Sequence, residues 1–283
     1  NRIRLLATEQ GVGVKIAGEA AASVDDLTLS AAGKLELSGK LSATRDLGVT
    51  ATAGSAGTTA IDVSGSSTGT SLFAGRNTTL NAGGGALALG AGKVGASGAL
   101  TLSGDDVTDT GTAADQRFAG TALTVAAVDR LGIDGANYDA GANLVLGAGR
   151  VDLGTGGTKL VGARNSGSVA VSSAGDLDLG NASITSPRAI ALSAGGGLTT
   201  VESGGEVTAG DDLSLGIGGA LNNAGSLRAN DAVTVRSTVN GADLSVSNLA
   251  TGVIEAKGAL SIANQNGAAA AGEDLAVTNA AGG

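Results

Sequence analysis

Val207-Thr-Ala-Gly-Asp-Asp-Leu-Ser-Leu-Gly-Ile-Gly-Gly-Ala-Leu-Asn-Asn-Ala-Gly-Ser-Leu-Arg-Ala-Asn-Asp-Ala-Val-Thr-Val235 holds one short unit twice. An apolar–x–apolar triplet at Leu213/Leu215 returns at Val233/Val235. Six residues before each triplet stands another apolar residue, Val207 and then Leu227. Leu221 follows the first triplet, and Gly, Asn and Asp separate the apolar positions. Outward from this stretch the triplet recurs at Leu27/Leu29, Leu47/Val49, Thr78/Leu80, Leu100/Leu102, Leu123/Val125, Leu144/Leu146, Val169/Val171, Ile190/Leu192, Leu260/Ile262 and Leu275/Val277. The preceding apolar position recurs at Leu41, Leu72, Val94, Tyr138, Ile184 and Ile254. The following one recurs at Leu35, Leu87, Val107, Leu131, Val151, Leu177 and Leu198. A fixed period with three apolar segments is the signature of a solenoid.

Alternation over three to five residues, bounded by turn formers, reads as strand. Three strands per period, without the tight two-residue turns of hairpins, exclude a meander. A coil that advances one strand spacing per turn satisfies both facts, because each strand then pairs in parallel with its copy about 4.8 Å along the axis. The expected fold is therefore all-β, a right-handed parallel β-helix of about twelve coils of roughly 20–25 residues, with three short strands per coil. Triplet residues point inward, and the middle residue (Thr28, Thr101, Thr124, Ser214, Thr234) points out. Gly at the corners is expected to supply positive φ. Residues 1–283 read as a single β-helical array, a fragment of a longer shaft, with no capping helix at either end. The pattern breaks over 54–71, read as an irregular coil or loop insertion. It breaks again at an extra triplet, Leu244/Val246, and at a short last interval from Leu260 to Leu275.

Composition agrees with a narrow core. The chain has 50 Gly, one Pro, one Tyr, two Phe and no Cys, His, Met or Trp, so Leu, Val, Ile and Ala must fill the interior. A net charge of −9 with singly scattered Lys and Arg argues against nucleic acid as a partner, which needs clustered cations. No apolar run approaches the ~20 residues of a spanning helix, so membrane insertion is not expected. The N-terminus carries no signal-peptide pattern. Absence of Cys excludes disulfides and thiolate metal sites without fixing the compartment.

Chemistry is sparse. Asp25–Asp26, Asp105–Asp106 and Asp211–Asp212 are the acidic pairs that a carbohydrate-active β-helix, a polysaccharide lyase or hydrolase, would need. Asp pairs at corners otherwise close turns. The calcium nonapeptide of Gly- and Asp-rich solenoids is missing, and the Gly runs at 83–85 and 195–197 lack the residues of a phosphate loop. The outward column mixes Thr with Gly, Val, Ala and Ser, too irregular for an ice-binding array. Phe73, Phe118 and Tyr138 read as plugs of a wide coil or as turn residues. No catalytic, cofactor-binding or metal-ligating residue is assigned, no cofactor is expected, and the chain is read as a non-enzyme.

Residues 219–235, 251–262, 207–215 and 270–277 share the form apolar-Asn-Asn-x-Gly-x-apolar-x-Ala-x-x-Asp-apolar-x-apolar in whole or part. This form resembles the repeats of the filamentous-haemagglutinin and contact-dependent inhibition family of two-partner secretion exoproteins. The resemblance implies the shaft of a large Gram-negative exoprotein used in adhesion or contact-dependent toxin delivery, at the cell surface or outside the cell. It implies an outer-membrane two-partner secretion transporter as partner, through a region not in this chain, and a receptor or glycan on a target cell. A receptor-binding segment of an autotransporter-like adhesin is the alternative within that class, with 54–71 as its first candidate loop.

Overall fold

The computed structural model describes residues 2–8, 13–52, 54–64, 70–162, 167–239, 243–264 and 274–280. These residues form three parallel sheets and no helix. Two sheets have 12 strands and the third has 11, each strand bonded to its equivalents one coil earlier and one coil later. Eleven complete coils and the first two strands of a twelfth result. Eleven steps of about 4.8 Å make a rod of about 53 Å.

The first sheet carries the triplets. Leu27 pairs with Leu47, Leu123 with Leu144, Leu144 with Val169, and Ile190 with Leu213. All of these are buried. Val145, between buried Leu144 and Leu146, is 40% exposed. Thr78 enters the same apolar column and stays satisfied there, its hydroxyl donating to the Gly95 carbonyl at 2.7 Å. The second sheet stacks Leu35, Ile61, Leu87, Val107, Leu131 and Val151, and the third stacks Leu41, Leu72 and Val94. The core is thus three ladders meeting along one axis.

Four sequence expectations change. Leu275/Val277 is not a first-sheet triplet: Leu275–Asn279 pairs with Leu244–Asn248 in the second sheet. The extra triplet and the short interval therefore disappear together, since both strands are ordinary second-sheet members. Ile3–Ala7, N-terminal to the recurring triplets, is a further first-sheet strand and pairs with Leu27–Ala31. In the second sheet the register sets Thr199, not Leu198, beside Leu177 and Leu221, and Thr199 is buried. Within 54–71, Thr59–Val63 is a regular second-sheet strand whose one irregularity is a bulge, with Ala60 the extra residue between Thr59 and Ile61. Residues 65–69 of that stretch lie outside the described residues.

Positive φ is supplied as expected at corners after first- and second-sheet strands, by Gly83, Gly92, Gly135, Gly154, Gly180 and Gly204, but the corner before the first sheet works differently. Gly75 and Gly210, just before first-sheet strands, do not have positive φ. A Cβ on Gly75 would lie 2.2 Å from the Thr44 carbonyl oxygen, and one on Gly210 2.1 Å from that of Pro187. Close approach of consecutive coils is what requires glycine at this corner. The Asp and Asn beside it form a ladder along the rod. The Asp46 amide donates to Asp26 Oδ1 (3.3 Å), the Asn77 amide to Asp46 Oδ1 (3.2 Å) and the Ala99 amide to Asn77 Oδ1 (3.0 Å). Ala232 donates likewise to Asp212 Oδ1 at 3.1 Å. At another corner Asn223 Nδ2 donates to Asn248 Oδ1 (2.7 Å), and Asn248 Nδ2 to Asn279 Oδ1 (2.8 Å). Each side chain satisfies a polar group of the next coil that the turn would otherwise leave unpaired.

Candidate functional site

The acidic pairs sit at corners, in separate coils. Asp25 accepts from Arg45 Nη1 at 2.8 Å and Asp26 lies 3.2 Å from Arg2 Nε. Asp106 Oδ1 caps the Arg130 amide at 3.2 Å, and Asp211 faces Arg188 at 3.4 Å. Among the described residues no three His, Cys, Asp or Glu side chains gather into a metal-binding group. The structure does not bring the three pairs together.

It does bring together residues that the sequence reading left apart. Arg117 stands six residues before Leu123, where an apolar side chain is expected, and its strand Gln116–Ala119 places it between Val94 and Tyr138 in the inward column of the third sheet. Asp109 enters the same interior from the second sheet, paired with Leu89 and Ile133. Arg117 is 1% exposed and grips Asp109 with two bonds, Nε to Oδ2 at 2.8 Å and Nη2 to Oδ1 at 2.9 Å. Its remaining donors reach the Gly90 carbonyl (2.5 Å) and the Gly92 carbonyl (2.8 Å). Tyr138, fully buried, donates its hydroxyl to Asp109 Oδ2 at 2.8 Å, and the Gly111 amide donates to Oδ1 at 3.0 Å. A bidentate buried ion pair with every lone pair and N–H engaged is the arrangement in which burial of charge is tolerated. Two signals in the sequence mark it: Arg in an apolar column, and Asp two residues after inward Val107.

Burial is the largest single influence on the Arg117 guanidinium and lowers its pKa. The charge of Asp109, the Tyr138 phenol, the hydrogen bonds to Asp109 and the charge of Asp115 together outweigh it, and the pKa lies above its ordinary value. Burial also works against the Asp115 carboxylate. The amides of Gly92 and Thr112 (both 2.6 Å) and the Thr112 hydroxyl more than compensate and hold its pKa low. Burial and then the Asp109 charge push the Tyr138 phenol well above its ordinary value. A folded pKa raised above the unfolded one gives stability that is complete below about pH 10 and is lost as pH rises from there. Since the chain has one Tyr and no Trp, phenolate absorbance reads this coil alone. In an alkaline titration it should stay flat through about pH 10 and rise only together with loss of the strand signal. A reversible titration at the ordinary value in folded protein would contradict the buried phenol.

Outside the same strands lies a groove of about 650 Å³. Phe118 is one wall. Its ring stacks on Phe73 with centroids 5.9 Å apart and planes at 23°. The two Phe are two strands apart, with Gly95 between them. A Cβ on Gly95 would come 2.4 Å from the Phe118 ring, so the rings meet only because that position is glycine. Along the floor run Lys93, Gln116, Asn137 and Lys159, successive members of one third-sheet column. Asn137 Nδ2 is spent on the Ala113 carbonyl at 2.5 Å, while its Oδ1 is buried without a partner.

Compared with family models, curated proteins and solved structures, the chain matches none. What the site can do therefore rests on its geometry. The sealed Arg117–Asp109–Tyr138 cluster has no route to solvent, so it pins strands together. The groove over it is open and polar along one side, and can bind.

Proposed function

We propose that the chain is a structural shaft of a large secreted, surface-displayed Gram-negative exoprotein used for adhesion or contact-dependent toxin delivery, exported through an outer-membrane two-partner transporter. The observation that carries this is where the repeat spends its polar residues. Asp212 and Asn223, both within the haemagglutinin-like stretch, serve as ladder rungs between coils. A motif used up in stacking builds length and rigidity, which is what a shaft supplies. A solenoid is also suited to export, because each coil needs only its neighbour as template.

Fused behind the secretion domain of a two-partner exoprotein and expressed with its transporter, the chain should reach the cell surface and bind antibody on intact cells. Retention in the periplasm would overturn the reading. So would turnover of an acidic or neutral polysaccharide by the chain that Asp105→Asn or Asp211→Asn abolishes.

A further inference from the structure

We infer that the groove over the third sheet is a binding site for an acidic oligosaccharide, holding a pyranose against Phe118 and carboxylates of separate sugar units at Lys93 and at Lys159. Several independent features converge there. All three aromatic residues of the chain lie in this part of the rod, Phe73 and Phe118 stacked outside and Tyr138 inside. A core that elsewhere manages with aliphatics has no need of these two half-buried rings on its outer face. A flat aromatic face is what the C–H surface of a sugar packs on, with a few placed polar groups to orient it. Gln116 supplies such a group; the Asn137 amide beside it is held by the Ala113 carbonyl. Asp139, on the same wall, is already engaged with a partner of its own.

Charge selects the class of sugar. Lys93 and Lys159 stand three strand spacings apart, about 14 Å, at either end of the polar row. Neither has an ion pair among the described residues, in a chain of net charge −9. Two solvated ammonium groups bracketing a ring wall suit carboxylates of an oligosaccharide. An extended acidic peptide fits less well: every third-sheet strand here is already bonded on both sides, so no backbone edge is open for strand addition. Nucleic acid would need a track of clustered cations, and only Lys93 and Lys159 line this groove. The polar cluster beneath explains why the site is here. Arg117 lies between Gln116 and Phe118, and locking it to Asp109 fixes the strand that presents both groove residues.

The site stands on the groove and not on the route of export, so its test uses the isolated chain. Calorimetric titration at low salt with tri-galacturonate should give saturable binding that weakens as salt is raised. The Lys93→Gln/Lys159→Gln double variant and Phe118→Ala should each bind about tenfold more weakly, as expected for loss of charge-assisted bonds or of the packing face. Lys40→Gln, in the same column but outside the groove, should bind as the parent does. Circular dichroism of each variant separates lost binding from lost folding; because these side chains point outward, the strand signal should be unchanged. Absence of saturable binding would overturn the inference. So would equal affinity for maltotriose, equal affinity for an acidic peptide, or binding that both groove variants leave intact.

Discussion

Replacing Arg117 by leucine is expected to cost about 3–5 kcal/mol, the penalty for removing one partner of a buried ion pair. Asp109 would be left with only the Tyr138 hydroxyl and the Gly111 amide, and the Gly90 carbonyl would lose its donor while that of Gly92 keeps the Gln116 amide. The size of the effect comes from the orphaned charge and not from the worth of the pair. Asp109→Leu combined with Arg117→Leu and Tyr138→Phe should therefore recover most of the loss, since apolar replacement of a whole buried polar cluster is often close to neutral. Hydrogen exchange resolves the outcome along the rod. In the single variant, protection should fall in the coils around residues 89–140 while Ile190–Ala194 and Val233–Ser237 remain protected, because a solenoid's stability is a sum over neighbouring coils. A single variant as stable as the parent would show that the charges are not sealed from water.

Leu146→Asp against Val145→Asp is the second large contrast. Leu146 is buried in the first-sheet ladder between Val125 and Val171. An aspartate there would be an unpaired charge among stacked aliphatics, costing several kcal/mol, about 3 or more, before the coil opens to water. Val145 lies between Thr124 and Ala170 on the outer face, 40% exposed, and its change to aspartate should stay within about 0.5 kcal/mol. Limited proteolysis should cut the Leu146 variant first near residues 135–160, leaving distant coils intact. If Val145→Asp did the greater damage, the inward and outward faces of this strand would have to be exchanged.

The sequence alone determined a large part of this fold, and particular residues show why. Leu123, Leu144 and Val169 face one another across three coils because alternation assigns faces and the period brings copies together. Both rules are local. They need only the chain's own spacing, so the first-sheet ladder was legible from Leu27 to Ile262. Other features depend on which strands end up side by side. Leu244 and Leu275 look like first-sheet triplets, but coil closure puts both in the second sheet, because corner lengths vary and only pairing across coils counts them correctly. Gly75 and Gly210 look like positive-φ corners, whereas their constraint is a carbonyl of the preceding coil. Arg117 breaks the apolar column in the sequence, and only the folded coil brings Asp109, from another sheet, into its reach. Phe73 and Phe118 are 45 residues apart in the chain (118 − 73) and join into one surface because two coil steps and a glycine between them allow it. Period and face are set by the short-range alternation of side chains. Charge pairing and the groove are set by contacts between coils, which exist only once the whole stack has closed.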